Sequence, residues 1–201
     1  MTNHAASTEA RTERADVIAR LPRPARREQI LATATAAFAR AGYAATSLDD
    51  VAGEAGVSRA ILYRHFESKS DLYRAVLDRA RQRLITAVPG PEFESASVDG
   101  LVAAAADDPA GFRLLFQHAA REPEFRDEMD RHRAKMVGLA HRQLVRAIGK
   151  GPWSRWAAEL APTVAIEGVL AWLDAGQPDR SQAAERIRRA IDGVIAAARQ
   201  A

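Results

Sequence analysis

Two side chains able to read or grip a charged polymer stand four residues apart, the guanidinium of Arg59 and the phenol of Tyr63, in the stretch Ser58-Arg-Ala-Ile-Leu-Tyr-Arg-His-Phe66. The planar fork of an arginine at the start of a helix matches guanine O6 and N7 in a DNA major groove. A bidentate contact there is worth about 1–3 kcal/mol of discrimination. Ser58 is a residue type that caps a helix amino end, and this places Arg59 in the first turn. Upstream, Ser47 with Asp50 three residues on resembles a shortened capping box and opens a helix over Leu48–Ala55. Gly56 then permits the left-handed backbone of a tight corner. Leu48, Val51, Ala52, Val57, Leu62 and Phe66 fall at the inward positions of a short helix, a turn and a second short helix. Residues 47–66 therefore read as a helix-turn-helix whose second helix offers its amino end to a major groove.

The elements that must hold this pair are helical throughout. Period-two alternation is scarce, and Ala, Leu and Arg outnumber the β-branched residues. Residues 1–22 read as a mobile arm ending in Leu21-Pro22-Arg23-Pro24, partly helical around Glu9–Arg20. From Ala25 the helical period places Ile30, Ala34, Phe38 and Ala41 on one face, and Gly42 closes that helix. Ser58 opens a helix to about Phe66, and Ser68 opens a longer one carrying Leu72, Val76, Ala80 and Leu84. Val88–Ser97 reads as the loop between two domains, a head over 23–86 and a body over 87–201. Helices follow near Val98–Ala106, Pro109–Ala120, Glu124–Ile148, Trp153–Ala175 and Arg180–Ala198. The expected fold is all-α, with about nine helices.

The run Ala45-Thr-Ser-Leu-Asp-Asp-Val-Ala-Gly-Glu-Ala-Gly-Val-Ser-Arg-Ala-Ile-Leu-Tyr-Arg-His-Phe-Glu-Ser-Lys-Ser-Asp-Leu72 resembles the amino-terminal signature of the TetR family of repressors. The likeness covers about residues 25–85, and Leu62-Tyr63-x-His65-Phe66-x-x-Lys69 is its most specific part. The resemblance implies an all-helical homodimer with a three-helix DNA-binding head, and a fourth helix leading to a ligand-binding and dimerisation body. It also implies site residues. Thr46 and Ser47 match positions that meet phosphate, and Ser58, Arg59, Ala60 and Ile61 match the groove-facing helix start. Tyr63, Arg64, His65 and Lys69 match positions that grip the backbone or a nearby base. Ile61 stands where a threonine or serine is common, and only apolar contact with a thymine methyl is open to it. Tyr63 and His65 also suit a structural role, and Lys69 also suits a solvated first turn, although a cation is disfavoured at a helix amino end. Arg20, Arg23, Arg26 and Arg27 precede the expected first helix, either as a minor-groove arm or as a solvated tail.

Charge supports the same division. Arg23 to Arg83 holds eleven basic and seven acidic residues, while the whole chain of 201 residues carries only +3. A basic end beside a near-neutral body suits a module that faces phosphate. The 47% apolar fraction supplies a core, no run of about eighteen apolar residues is evident, and no secretory signal is visible, so a cytoplasmic protein without a membrane partner is expected. Cysteine is absent, which removes disulfides and thiolate zinc sites. No phosphate loop, metal-ligand spacing or nucleophile elbow occurs, and His4, His65, His118, His132 and His141 are scattered. The chain therefore reads as no enzyme, with no cofactor and no metal.

In the body, Phe112, Phe116, Met129, His132, Met136 and Trp172 are candidates either for the wall of an effector pocket or for plain packing. Glu167 could face a cationic ligand, an arginine or solvent. Helices near 153–175 and 180–198 carry an Ala157, Ala161, Ala165, Gly168 stripe and an Ile187, Ile191, Val194, Ala198 face. These suit either a two-fold dimer interface or the chain's own core. Double-stranded operator DNA, a second copy and a small-molecule effector are the expected partners. The rival readings are a cationic coat for nucleic acid and a helical protein-binding scaffold.

Overall fold

The computed structural model describes residues 21–88 and 95–199, and every regular element among them is helical. The helices are α1 (Arg23–Ala45), α2 (Leu48–Glu54), α3 (Arg59–Tyr63), α4 (Lys69–Ala87), α5 (Ser95–Asp107), α6 (Pro109–Arg113), α7 (Arg126–Ile148), α8 (Pro152–Asp174) and α9 (Arg180–Arg199). The expected arm and its partial helix at Glu9–Arg20 fall on residues 1–20, outside the described residues. The chain forms two compact units that divide between Val76 and Leu77, within α4 and not in the 88–97 segment.

In the first unit α1 starts at Arg23, two residues earlier than its period suggests, because Pro24 is tolerated in a first turn where its missing N–H has no partner to lose. Arg23, Arg26 and Arg27 are thus helical, and Arg26 is buried and donates to Gln29 Oε1 at 2.9 Å. That removes Arg26 from any groove-entering arm. The helix is interrupted at Gly42, whose φ of 81° and ψ of 167° belong to a region that only glycine occupies readily. Ala41, expected on the inward face, is exposed beside this break. Ile30, Ala34 and Phe38 are fully buried, as are Val51, Leu62, Phe66, Leu72, Tyr73 and Val76, which supply the head's core. Phe38 packs edge-on to Tyr73 with centroids 4.9 Å apart.

In the second unit the segment expected as one helix over Pro109–Ala120 changes pitch. It passes from α6 through a wide turn at Leu114–His118 to a tight one at Ala119–Arg121. The small-residue stripe of α8 is used inside the chain. Ala157, Ala161 and Ala165 are buried, and Gly168 leaves room for Ile187, which would lie 3.0 Å from an added Cβ. Ile187, Ile191 and Ala198 are buried from α9. Both stripes are therefore packed in the chain's own core. Contrary to the sequence reading, α8 is long and apolar enough to cross a bilayer; half of its most apolar stretch is buried against other helices, as a core helix requires.

Candidate functional site

The helix-turn-helix is built from local hydrogen bonds that the sequence specifies. Ser47 Oγ accepts the Asp50 N–H at 3.1 Å while Asp50 Oδ2 accepts the Ser47 N–H at 3.0 Å, which closes the capping box of α2. The Ser47 hydroxyl, donating to Asp50 Oδ2 at 2.7 Å, and then the Ser47 N–H hold the Asp50 carboxyl below its ordinary pKa. At the other end Gly56 N–H donates to Gly53 O at 3.1 Å and Val57 N–H to Ala52 O at 3.0 Å. This paired closure needs a left-handed residue, and Gly56 supplies it with φ 64°. The Ala55 carbonyl left over at the corner accepts Gln29 Nε2 at 2.9 Å, so α1 fixes the turn from behind.

Ser58 Oγ accepts the Ile61 N–H at 3.3 Å and opens α3. The helix is shorter than expected and ends at Tyr63. A tight turn then carries the chain to Phe66, whose N–H donates to Leu62 O at 3.0 Å. Leu62 and Phe66 are 0% and 1% exposed and secure the segment from its inner side. Ser58, Arg59, Ala60, Tyr63 and Arg64 face solvent, while Ile61 and His65 are half-buried.

Arg59 is held in place without being covered. Its Nη1 lies 3.1 Å from Asp49 Oδ2, its Nη2 reaches the Tyr63 hydroxyl at 3.5 Å, and its guanidinium sits 5.5 Å from the Tyr63 ring centroid. The Tyr63 hydrogen bond, then the Asp49 charge, raise the Arg59 pKa above its ordinary value. Thr46, Ser47, Arg59, Tyr63 and Lys69 line one open cleft of about 320 Å³ together with Leu48 and Asp49. Half of the ten expected DNA-facing residues thus converge on one concavity.

Two of those five already hold partners within the head. Thr46 is 3% exposed and donates its hydroxyl to Gly42 O at 2.8 Å, satisfying a carbonyl freed by the break in α1. Its side chain supports the head's backbone. Lys69 Nζ donates to Tyr43 O at 2.9 Å and Ala44 O at 3.3 Å, and lies 4.6 Å from the Tyr43 ring centroid. Its charge answers the carbonyl end of α1 and offsets its own place at the start of α4. Asp49 and Gln29 were not singled out from the sequence, and Arg27, expected in an arm or a solvated tail, rests its guanidinium 5.0 Å from the Phe66 centroid. Asp49 and Arg59 sit ten positions apart across a corner, and no spacing rule joins them. His65 lies near the amino end of α1. Burial first, then the charges of Arg23, Arg27 and Arg26, push its imidazole pKa down.

The second unit contains a cavity of about 340 Å³ among α4, α7, α8 and the wide turn after α6. Phe116, Met129, His132 and Met136 line it as expected, with Leu84, Leu115, Leu139 and Ile166. Glu167 is also in its wall. Phe112 and Trp172 are not. Phe112 packs in the core against Phe116, and Trp172 is buried there with its indole N–H donating to Pro178 O. Polar groups at the cavity carry both signs, with Arg81, Arg133 and Lys135 against Asp130, Glu159 and Glu167. Burial, then Arg81, lower the His132 pKa.

Taken together, fold and site define an all-helical helix-turn-helix protein with a separate cavity-bearing helical unit. Residues 30–76 match the family model described as bacterial regulatory proteins, tetR family. The HTH-type transcriptional activator FasR of Mycolicibacterium smegmatis is 39% identical over 107 residues, covering 49% of each chain. The HTH-type transcriptional repressor SCO4008 of Streptomyces coelicolor is 30% identical over 118 residues, covering 56% of this chain and 62% of that one. The chain therefore spans about half to under two thirds of the length of these curated relatives. A TetR-like transcriptional regulator from Rhodococcus sp. RHA1 shares the fold with a TM-score of 0.73 at 22% identity, over 84% of this chain and 94% of that one. Residues 30–76 thus match the amino-terminal model of the tetR family, and the fold over most of the chain is that of a TetR-like structure.

Proposed function

We propose that the chain is a sequence-specific DNA-binding transcriptional regulator, a repressor that leaves its operator when an apolar small molecule occupies the second unit. One observation carries this reading: Arg59 and Tyr63 project outward from a five-residue helix fastened from within by Leu62 and Phe66. A helix presented in this way can enter a major groove end-first. Of the two curated relatives, one is named an activator and the other a repressor. Repression is the simpler mechanism, since occupancy of the operator alone accomplishes it. The reading assigns the protein to the bacterial cytoplasm, where its DNA partner lies, and assigns it no catalysis.

A dimer completes the proposal, because two recognition helices about 34–36 Å apart meet successive turns of a palindrome. The inward stripes of α8 and α9 are spent on the chain's own core, so the second copy would meet their outward rows. Trp153 and Trp156 are 50% and 40% exposed on α8, and Ala190, Gly193 and Ala197 are exposed on α9. The effector acts by binding better to a body conformation that weakens DNA binding, and shifts affinity by no more than that difference.

Selection from a random duplex library tests the reading. A recovered palindrome supports it. A recovered pool without consensus, bound with a steep salt dependence, would instead show a non-specific coat. Light scattering on the full chain and its Trp156→Glu variant tests the pairing: a dimer that becomes a monomer is expected.

A further inference from the structure

We propose that Asp49 is a specificity-determining positioning residue, which holds the Arg59 guanidinium in the orientation that reads one base pair of each half-site. This rests on the DNA-reading function argued above.

An arginine at the first position of a recognition helix is free in many rotamers, and ordering it on a base edge costs entropy. Here that order exists before DNA arrives. Asp49 Oδ2 lies 3.1 Å from Nη1, and the Tyr63 hydroxyl accepts from Nη2 at 3.5 Å. The ring of Tyr63, with its centroid 5.5 Å from the guanidinium carbon, limits the movement of the fork. Only some of the fork's five N–H donors are taken by these partners, and the rest remain for a guanine O6 and N7. The neighbouring Asp50 is committed to the cap of α2 through Ser47, so Asp49 is the carboxylate of that turn available to Arg59.

The sign of the charge strengthens the argument. A carboxylate on a face that meets phosphate weakens binding to any duplex. Its presence beside Arg59 lowers general affinity while favouring the one sequence that returns a good contact to the fork, which is how repulsive elements raise specificity.

The test compares wild type with Asp49→Asn, Arg59→Ala and the double variant, each as full chain, in selection from a random duplex library and in titrations of selected and scrambled duplexes. Asp49→Asn should bind scrambled duplex at least as tightly as wild type. Its preference for the selected duplex should fall about three- to ten-fold, with the loss confined to one base-pair position per half-site. Arg59→Ala should lose preference at that same position, and the double variant should lose no more than Arg59→Ala alone. Asp49→Glu, which keeps the carboxylate, should restore part of the preference. Unchanged preference in Asp49→Asn, a loss spread evenly over positions, or a loss that persists in the Arg59→Ala background would each overturn the assignment. Wild type selecting no sequence at all would overturn the DNA-reading function itself, and with it this inference.

Discussion

The Lys69 ammonium closes the carbonyl end of α1, donating to Tyr43 O at 2.9 Å while lying 4.6 Å from the Tyr43 ring centroid. A side chain at the start of α4 thereby fixes the interrupted end of α1. Charged hydrogen bonds of this kind contribute more than neutral ones, and a cation above an aromatic face adds to them.

Lys69→Met retains the aliphatic stem and removes the donors, so it should destabilise the protein by about 1–2 kcal/mol. Urea unfolding monitored by circular dichroism reads this directly. The salt dependence of duplex binding separates the two roles considered for Lys69. A phosphate ligand would carry about one counterion of slope. A structural clamp leaves that slope nearly unchanged while stability falls.

Gly42 and Gly56 make unequal demands on a substituted methyl. Neither has an atom within 4 Å of an added Cβ, so any cost is one of backbone conformation. Gly56, at φ 64°, lies in the left-handed helical region, where alanine costs about 1–2 kcal/mol. Gly42, with ψ near 167° as well as φ 81°, lies where nearly only glycine is found, and alanine there should cost about 1–3 kcal/mol. Thermal unfolding of both variants should rank Gly42→Ala below Gly56→Ala. The reverse order would mean that α1 is not broken as described.

The corner was legible in the sequence because its signals are local. Ser47 with Asp50, Ser58 with Ile61, and Gly56 each act within a turn of backbone, and helical period alone placed Leu62 and Phe66 inside. What was not legible depends on how helices cross. Periodicity states that Phe112, Phe116, Met136 and Trp172 lie on inward faces, and it cannot tell a face that meets another helix from one that meets a void. Small residues at 157, 161 and 165 permit close approach to any helix, whether of the same chain or another. Asp49 and Arg59, and Lys69 and Tyr43, meet only because the corner angles bring them together.

His65 should make DNA binding depend on pH. Burial and the charges of Arg23, Arg27 and Arg26 hold its folded pKa below the ordinary value of about 6.5. Folding therefore favours the neutral ring, a contribution fully present above about pH 6.5 and lost as pH falls through and below it. A phosphate brought beside the ring reverses the effect and raises its pKa, so binding takes up protons. Duplex affinity should rise on acidification from pH 8 to pH 6, most steeply near the lower end, and His65→Gln should flatten that rise. An equal rise in the variant would place the proton uptake elsewhere.

The cavity offers a test that needs no knowledge of the natural effector. Its walls are apolar at Leu84, Leu115, Phe116, Leu139 and Ile166, and its polar groups include charges of both signs, so a largely apolar ligand suits it better than a strongly charged one. The neutral dye Nile red should bind the full chain with a rise in fluorescence. Met136 lines the space from α7, and Met136→Trp would fill part of the about 340 Å³ with an indole. The variant should bind the dye at least about ten-fold more weakly while its urea midpoint stays close to that of wild type, since the added volume enters a void and not packed core. Phe112→Leu, which alters the core behind the cavity without opening onto it, should lower stability and leave dye affinity within about two-fold. Equal weakening by both substitutions would mean that the dye reports loosening of the helical unit and does not occupy this cavity.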